Sequence, residues 1–182
     1  MGLDNENIHG ADELIRRLKE AQEYIRQDVP EVIGTEAVAH FKKSFADEGF
    51  TDTSLKKWAP RKAKVHLQTK TLQGQGSGDH LGDSLDYKVS GNTITIYTDK
   101  PYAQIHNEGG TIEVTPKMKA YFWAMHYQAK EAGDTDTEEQ YKAMALSKKI
   151  TIIQRQFLGD SKALIETITT KIVKDLNRIL NR

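Results

Sequence analysis

Apolar residues recur along this chain at two spacings, and the changes of spacing mark the elements. From Ala11 the period is helical: Leu14, Ile15, Leu18, Ala21 and Ile25 return every three or four residues, with Arg16, Arg17, Lys19, Glu20 and Glu23 on the opposite face. That predicts an amphipathic helix of about four turns. Asp28, followed by Pro30 and Glu31, reads as the capped start of a second helix, whose stripe is Ile33, Ala37, Phe41 and Phe45 and which ends at Gly49. From Phe50 to Gly82 periodicity fails, and Gly, Ser, Thr, Lys and Gln dominate around one aromatic anchor, Trp58-Ala59-Pro60. Structureless stretches longer than ~15 residues are uncommon inside a compact domain, so this arm is expected to be functional, mobile or ordered by a partner.

Period two then takes over. Residues 85–90 and 93–98 alternate polar with apolar side chains, and Gly91-Asn92 between them suits a two-residue hairpin loop. A third alternating run, 111–115, follows the segment Pro101-Tyr-Ala-Gln-Ile-His-Asn-Glu-Gly-Gly110. One helical turn in that segment would set Tyr102, Ile105 and His106 on adjoining faces and point His106, Asn107 and Glu108 outward. Thr115-Pro116 opens a third helix with Met118, Tyr121, Phe122, Met125 and Ala129 at helical spacing. Thr137 with Gln140 resembles a capping box for a shorter helix, 149–153 is a fourth strand, and 154–159 is a loop. Asp160 or Ser161 then caps a last helix carrying Leu164, Ile165, Ile168, Ile172, Leu176, Ile179 and Leu180, expected to cover one face of the sheet.

The pattern therefore predicts an α+β fold: a small, mainly antiparallel sheet of about four strands, packed by N-terminal helices and a long C-terminal helix. The 182 residues suit a single domain, with a loose N-terminus at 1–10, a long arm at 50–82 and a helical insertion at 117–148.

Charge adds a local feature to a neutral whole. Lysines and arginines number 26 and acids 26, so there is no global pull toward nucleic acid or an anionic membrane. Yet 56–70 carries six bases and no acid, while 131–139 carries five acids and no base, a pairing that suits self-association or steering. There are no cysteines, and no run approaches the ~20 apolar residues of a membrane span or resembles a signal peptide.

Three short motifs, in order, carry a resemblance. Leu81-Gly-Asp-Ser-Leu85, then Pro101-Tyr-Ala-Gln-Ile-His-Asn-Glu-Gly-Gly110, then Arg155-Gln-Phe-Leu-Gly159 before a terminal helix, together with Trp58-Ala-Pro60, resemble the phage virion morphogenesis or tail completion family. The match runs from about Phe41 to the C-terminal helix. It implies a non-enzymatic structural protein of a tailed phage or prophage, acting in tail completion or head–tail joining as a ring or other homo-oligomer. Its partners would be other tail or neck proteins, its place the virion and the host cytoplasm during assembly, and no cofactor is implied. Where family members carry prolines on both sides of the arginine in the last motif, this chain has Ile153 and Gln156, which predicts a less rigid loop. Asp79 stands where a glycine is usual, with Gly78 one step early, and 117–148 is longer than expected.

Two other function classes stand beside this one. His106 with Glu108 and His80 suggests a metal-dependent hydrolase, but the histidines fall on unrelated elements and no ligand pair stands at i, i+4, so a packed or interface histidine is the better reading. Gly74, Gly76 and Gly78 lack the Lys-Ser/Thr of a phosphate loop and read as linker. The basic run points to a nucleic-acid-binding module, or to weak non-specific DNA contact, through arm residues Trp58, Arg61, Lys62 and Lys64; a solvated or partner-docked arm is preferred. Interface residues are expected at Tyr102, Ile105, His106, Glu108, Arg155 and Phe157, with Arg155 either crossing to another subunit or tying its own loop.

Overall fold

Residues 5–60, 71–72 and 80–182 are described by the computed structural model. The chain opens with helix α1 (Asn5–Glu23), which does not stop at Asp28. A π-helical segment, Tyr24–Asp28, carries it directly into α2 (Val29–Asp47), and the Asp28 side chain makes no capping hydrogen bond. The physical reason is Pro30: its nitrogen has no proton to give and its ring crowds the carbonyl four residues back. Widening the turn before it, with the Val29 N–H donating to Tyr24 O five residues back, lets the helix absorb the proline without breaking.

Glu48, not Gly49, takes the left-handed position that ends α2, at φ 48°. Gly49 already belongs to strand β1 (Gly49–Thr51), where a Cβ would stand 2.6 Å from Lys56 O of β2 (Leu55–Lys57). The start of the expected arm is thus an antiparallel hairpin. Three-residue strands are too short to show a period. Strands β3 (Asp86–Ser90) and β4 (Thr93–Tyr97) form the hairpin predicted around Gly91-Asn92, in the register Ser90↔Thr93.

After the short helix α3 (Ala103–Glu108), β5 (Gly110–Glu113) pairs with β6 (Lys149–Ile152). The helical insertion stands between them: α4 (Pro116–Glu131), capped by Thr115, and α5 (Thr135–Leu146) pack on one another. The cap of α5 is Asp134, whose carboxylate accepts from Thr137 N; Thr137 is the residue capped and not the cap. Helix α6 (Lys162–Leu180) is capped by Ser161 as expected.

The fold is mixed helix and sheet, and among the described residues the strands pair antiparallel in three two-stranded ladders instead of one sheet. No ladder is wide enough to seat a long helix. Accordingly α6 packs along α2 and α1, and not over a sheet. The core collects Ala37, Phe41 and Phe45 from α2, Phe50 from β1, Leu81 and Leu85 ahead of β3, Ala103, Phe157 and Leu164. All three resemblance motifs contribute to that one cluster.

Candidate functional site: the α3 turn and the 153–159 loop

Ala103 is buried in the core, and that fixes which way the six-residue helix faces. Asn107, one turn further on, shares its inner side. Its Oδ1 accepts from Phe157 N and Leu158 N, both at 2.9 Å, and its Nδ2 donates to Leu158 O at 3.1 Å. One side-chain amide thus satisfies three peptide groups of a loop fifty residues away, each of which would cost about 1–3 kcal/mol if buried unpaired. Asn107 therefore points inward, contrary to the outward direction expected from sequence.

Other bonds extend this junction. Arg155 N donates to His106 O at 2.8 Å, and Trp58 Nε1 donates to Gln156 O at 2.7 Å. Gly109 sits at φ 73°, and a Cβ there would lie 2.9 Å from Gln154 N, so glycine is required both by the angle and by the passing strand. Ser161 Oγ donates to Thr51 O while capping α6, and Asp52 accepts from Lys162 N and Ala163 N through its carboxylate and its carbonyl. The loop is thus held by hydrogen bonds from α3 on one side and from Trp58 on another.

Phe157, expected at an interface, is fully buried: its ring lies 5.0 Å from Phe45, which meets Trp58 edge-on at 5.6 Å. A side chain with no exposed surface serves its own fold. Trp58, expected as an arm contact, is likewise anchored to its own core and loop, while Arg61, Lys62 and Lys64 lie outside the described residues. A groove of about 370 Å³ lined by Phe50, Lys56, Lys57, Trp58, Gln154 and Gln156 opens beside them.

The remaining residues form the outer side of the same junction. Tyr102 is 43% exposed and meets the His106 ring edge-on at 6.0 Å. His106 is half-buried, and burial first, then the Arg155 charge, push its pKa below the ordinary 6.5, so the imidazole is neutral at neutral pH. Its Nδ1 is buried and has no hydrogen-bond partner among the described residues. Ile105 and Arg155 are half-buried, and Glu108 is exposed and takes the Gln104 amide at 3.2 Å. Tyr102, His106 and Arg155 are thus brought together, while Glu108 turns away from the His106 ring.

Chemically, this arrangement offers a ring, a neutral imidazole and a guanidinium on a rigid base. No group of three His, Cys, Asp or Glu side chains is disposed to hold a metal among the described residues. His126 is buried between α4 and α5, with Nδ1 3.1 Å from Glu138 O. Asn107 is the residue of this junction whose part in holding the loop the sequence reading missed. Its position four after Ala103, on the apolar side of the turn, was the available signal.

The class these features define is a mixed α+β domain built around one shared loop junction. A family model, the phage virion morphogenesis family, matches residues 7–177, and the chain belongs to that family. No curated protein and no solved structure matches it. Its role is accordingly in virion morphogenesis, and no helix among the described residues is long and apolar enough to cross a membrane.

Proposed function

We propose that this protein is a non-enzymatic assembly component of a tailed phage or prophage, acting in tail completion or head–tail joining as a homo-oligomer in contact with other tail or neck proteins. It works in the host cytoplasm during assembly and then in the virion. The family match over nearly the whole chain carries this reading. The exposed side of the α3 junction supports it: Tyr102 and Arg155 are side chains of the kind that anchor interfaces, mounted on a loop held in one conformation. Lys56 and Lys57, on the rim of the groove beside Trp58, favour a secondary contact with nucleic acid, weak and falling steeply with salt.

The test separates folding from assembly. Tyr102→Ala and Arg155→Ala are carried into a phage complementation assay, with melting temperature measured on the purified proteins. Truncating an interface anchor costs about 2 kcal/mol or more, so infectious yield is expected to fall at least about tenfold while the melt stays put. Loss of yield in strict proportion to loss of melting temperature would make these fold residues and remove the interface.

A further inference from the structure

The amphipathic pattern predicts a buried stripe, yet Leu14 and Leu18 of α1 are 56% and 53% exposed, and Ile25, in the π-helical segment that follows, is 54% exposed. On α6, Ile165, Val173 and Leu180 are exposed as well. These two helices pack antiparallel: Arg17 Nη1 donates to Leu180 O at 3.0 Å and the Tyr24 hydroxyl to Asp175 at 3.0 Å. The contact edge of α1 is Arg17, Ala21 and Tyr24, and at about 100° per residue its exposed stripe lies roughly 80° further round in the helix's turning sense. On α6 the contact edge runs through Ile168 and Asp175, and Val173 and Leu180 lie further round in the same sense. Because the helices run in opposite directions, rotations in the same sense turn both stripes toward the same side, with Leu180 and Val173 about 120° and about 140° round from Ile168. The result is one continuous apolar strip, two helices wide.

We infer that this strip is a self-association surface, and that its occupant is the same strip of a second copy. Two helices about 10 Å apart, apolar over about 20 Å of their length, present about 400 Å². That is the apolar core of a standard interface of about 800 Å² a side, once a polar rim is added. The strip itself carries no charged side chain; between its apolar residues stand Gln22, Thr169 and others of that kind. A surface that pairs with itself about a two-fold axis brings like groups together, so an uncharged strip suits that partner where a charged one would repel itself. The charges of α1 are elsewhere, in the Glu13–Arg16 and Glu13–Arg17 ion pairs. This inference deepens the homo-oligomer reading above by naming its surface.

These 182 residues contain no cysteine, which makes the test direct. Light scattering across about 1 to about 100 µM should give a mass that rises toward two copies or a multiple of two. Leu18→Glu with Val173→Glu should weaken that association at least about a hundredfold, because each charge would be buried against apolar surface, while circular dichroism shows a folded monomer. Tyr127→Glu, on the exposed side of α4, should leave the mass unchanged. A folding-independent measurement uses Leu18→Cys: a short bis-maleimide should link two copies through it, and through Tyr127→Cys it should not. A wild-type chain that stays monomeric overturns the proposal; Leu18→Cys then reacting freely assigns the strip to a different protein, and Leu18→Cys protected assigns it to another segment of the same chain. The outcome is separable from the α3 reading, since strip variants are read by mass and Tyr102→Ala by infectious yield.

Discussion

Where α3 meets the 153–159 loop, the peptide groups at 155, 157 and 158 all find partners and the Phe157 ring has no exposed surface. Along α1 and α6, Leu14, Leu18 and Ile165 stand more than half exposed. Both regions are rich in apolar residues, and the difference lies in what each offers to cover them. The junction brings its own cover, because one asparagine and one indole N–H meet the polar groups that would otherwise keep the loop in water. The strip is helix surface, whose backbone groups are already satisfied along the helices, and it lacks only a second layer. The first is closed within one chain and the second is open to another.

The largest effect that sharpens this contrast is expected at Phe157. Phe157→Ala removes a fully buried ring packed between Phe45 and the loop backbone, and should destabilise the protein by about 3–5 kcal/mol, read from urea unfolding. Destabilisation under about 1 kcal/mol would mean that the loop can leave the core without harm, and the distinction between closed and open regions would fail.

Asn107 comes next. Asn107→Ala leaves two N–H groups without their partner and Leu158 O with only the longer bond from the Gln156 amide, and should cost about 2–3 kcal/mol. Asn107→Asp keeps the acceptor for Phe157 N and Leu158 N and loses only the donor to Leu158 O, so about 1 kcal/mol is expected. If the aspartate variant were as unstable as the alanine variant, the two accepted hydrogen bonds would not be what holds the loop.

These residues also mark how far the sequence was legible. Period two identified 85–90, 93–98, 111–115 and 149–153, and all four are strands or overlap them, because alternation records a half-buried ladder. It does not record which strand pairs with which, so one sheet was expected where β5 reaches across the whole insertion to β6. Helical stripes were legible in the same limited sense: they showed where α1 and α6 are apolar and not what lies against them. Asp28 misled because a proline three residues before a stripe signals a helix start equally well when a π turn carries the helix through. Tyr102, His106 and Arg155, singled out from two separate segments, are adjacent in space, whereas Phe157, expected at an interface, is fully buried. Its burial depends on Phe45 and Trp58, which no local pattern connects to it.

His106 stands half-buried on the outer side of the closed junction, and its titration reports how far that side is shielded from water. Its folded-state pKa lies below the ordinary 6.5, through burial and then Arg155. The unfolded chain therefore binds the proton first as pH falls. Stability from this group is full above 6.5 and declines as pH drops from there toward the folded-state value, below which it no longer changes. Melting temperatures of wild type and His106→Gln, compared between about pH 7.5 and about pH 5.5, should show a steeper acid decline in wild type. Parallel curves would mean the ring is hydrated as freely in the folded protein as in the unfolded one.

The smallest effect is expected in a third kind of contact, neither buried nor apolar. Lys149 and Glu113 face each other across β5 and β6 with Nζ to Oε1 at 2.9 Å, and both side chains are more than half exposed. A directly opposed pair on a two-stranded ribbon has favourable geometry, but water screens its attraction and holding two long side chains together costs entropy. A double-mutant cycle of Lys149→Gln and Glu113→Gln should therefore give a coupling of about 0.2–1 kcal/mol, falling further at about 1 M salt, where the screening length is about 3 Å. The readout should be hydrogen exchange of the ribbon amides, because the global melt is governed by the core around Phe157 and would miss so small a change. A coupling above about 2 kcal/mol that survived high salt would show the ribbon to be shielded from water, and the β5–β6 ladder would then belong with the closed region and not with the open one.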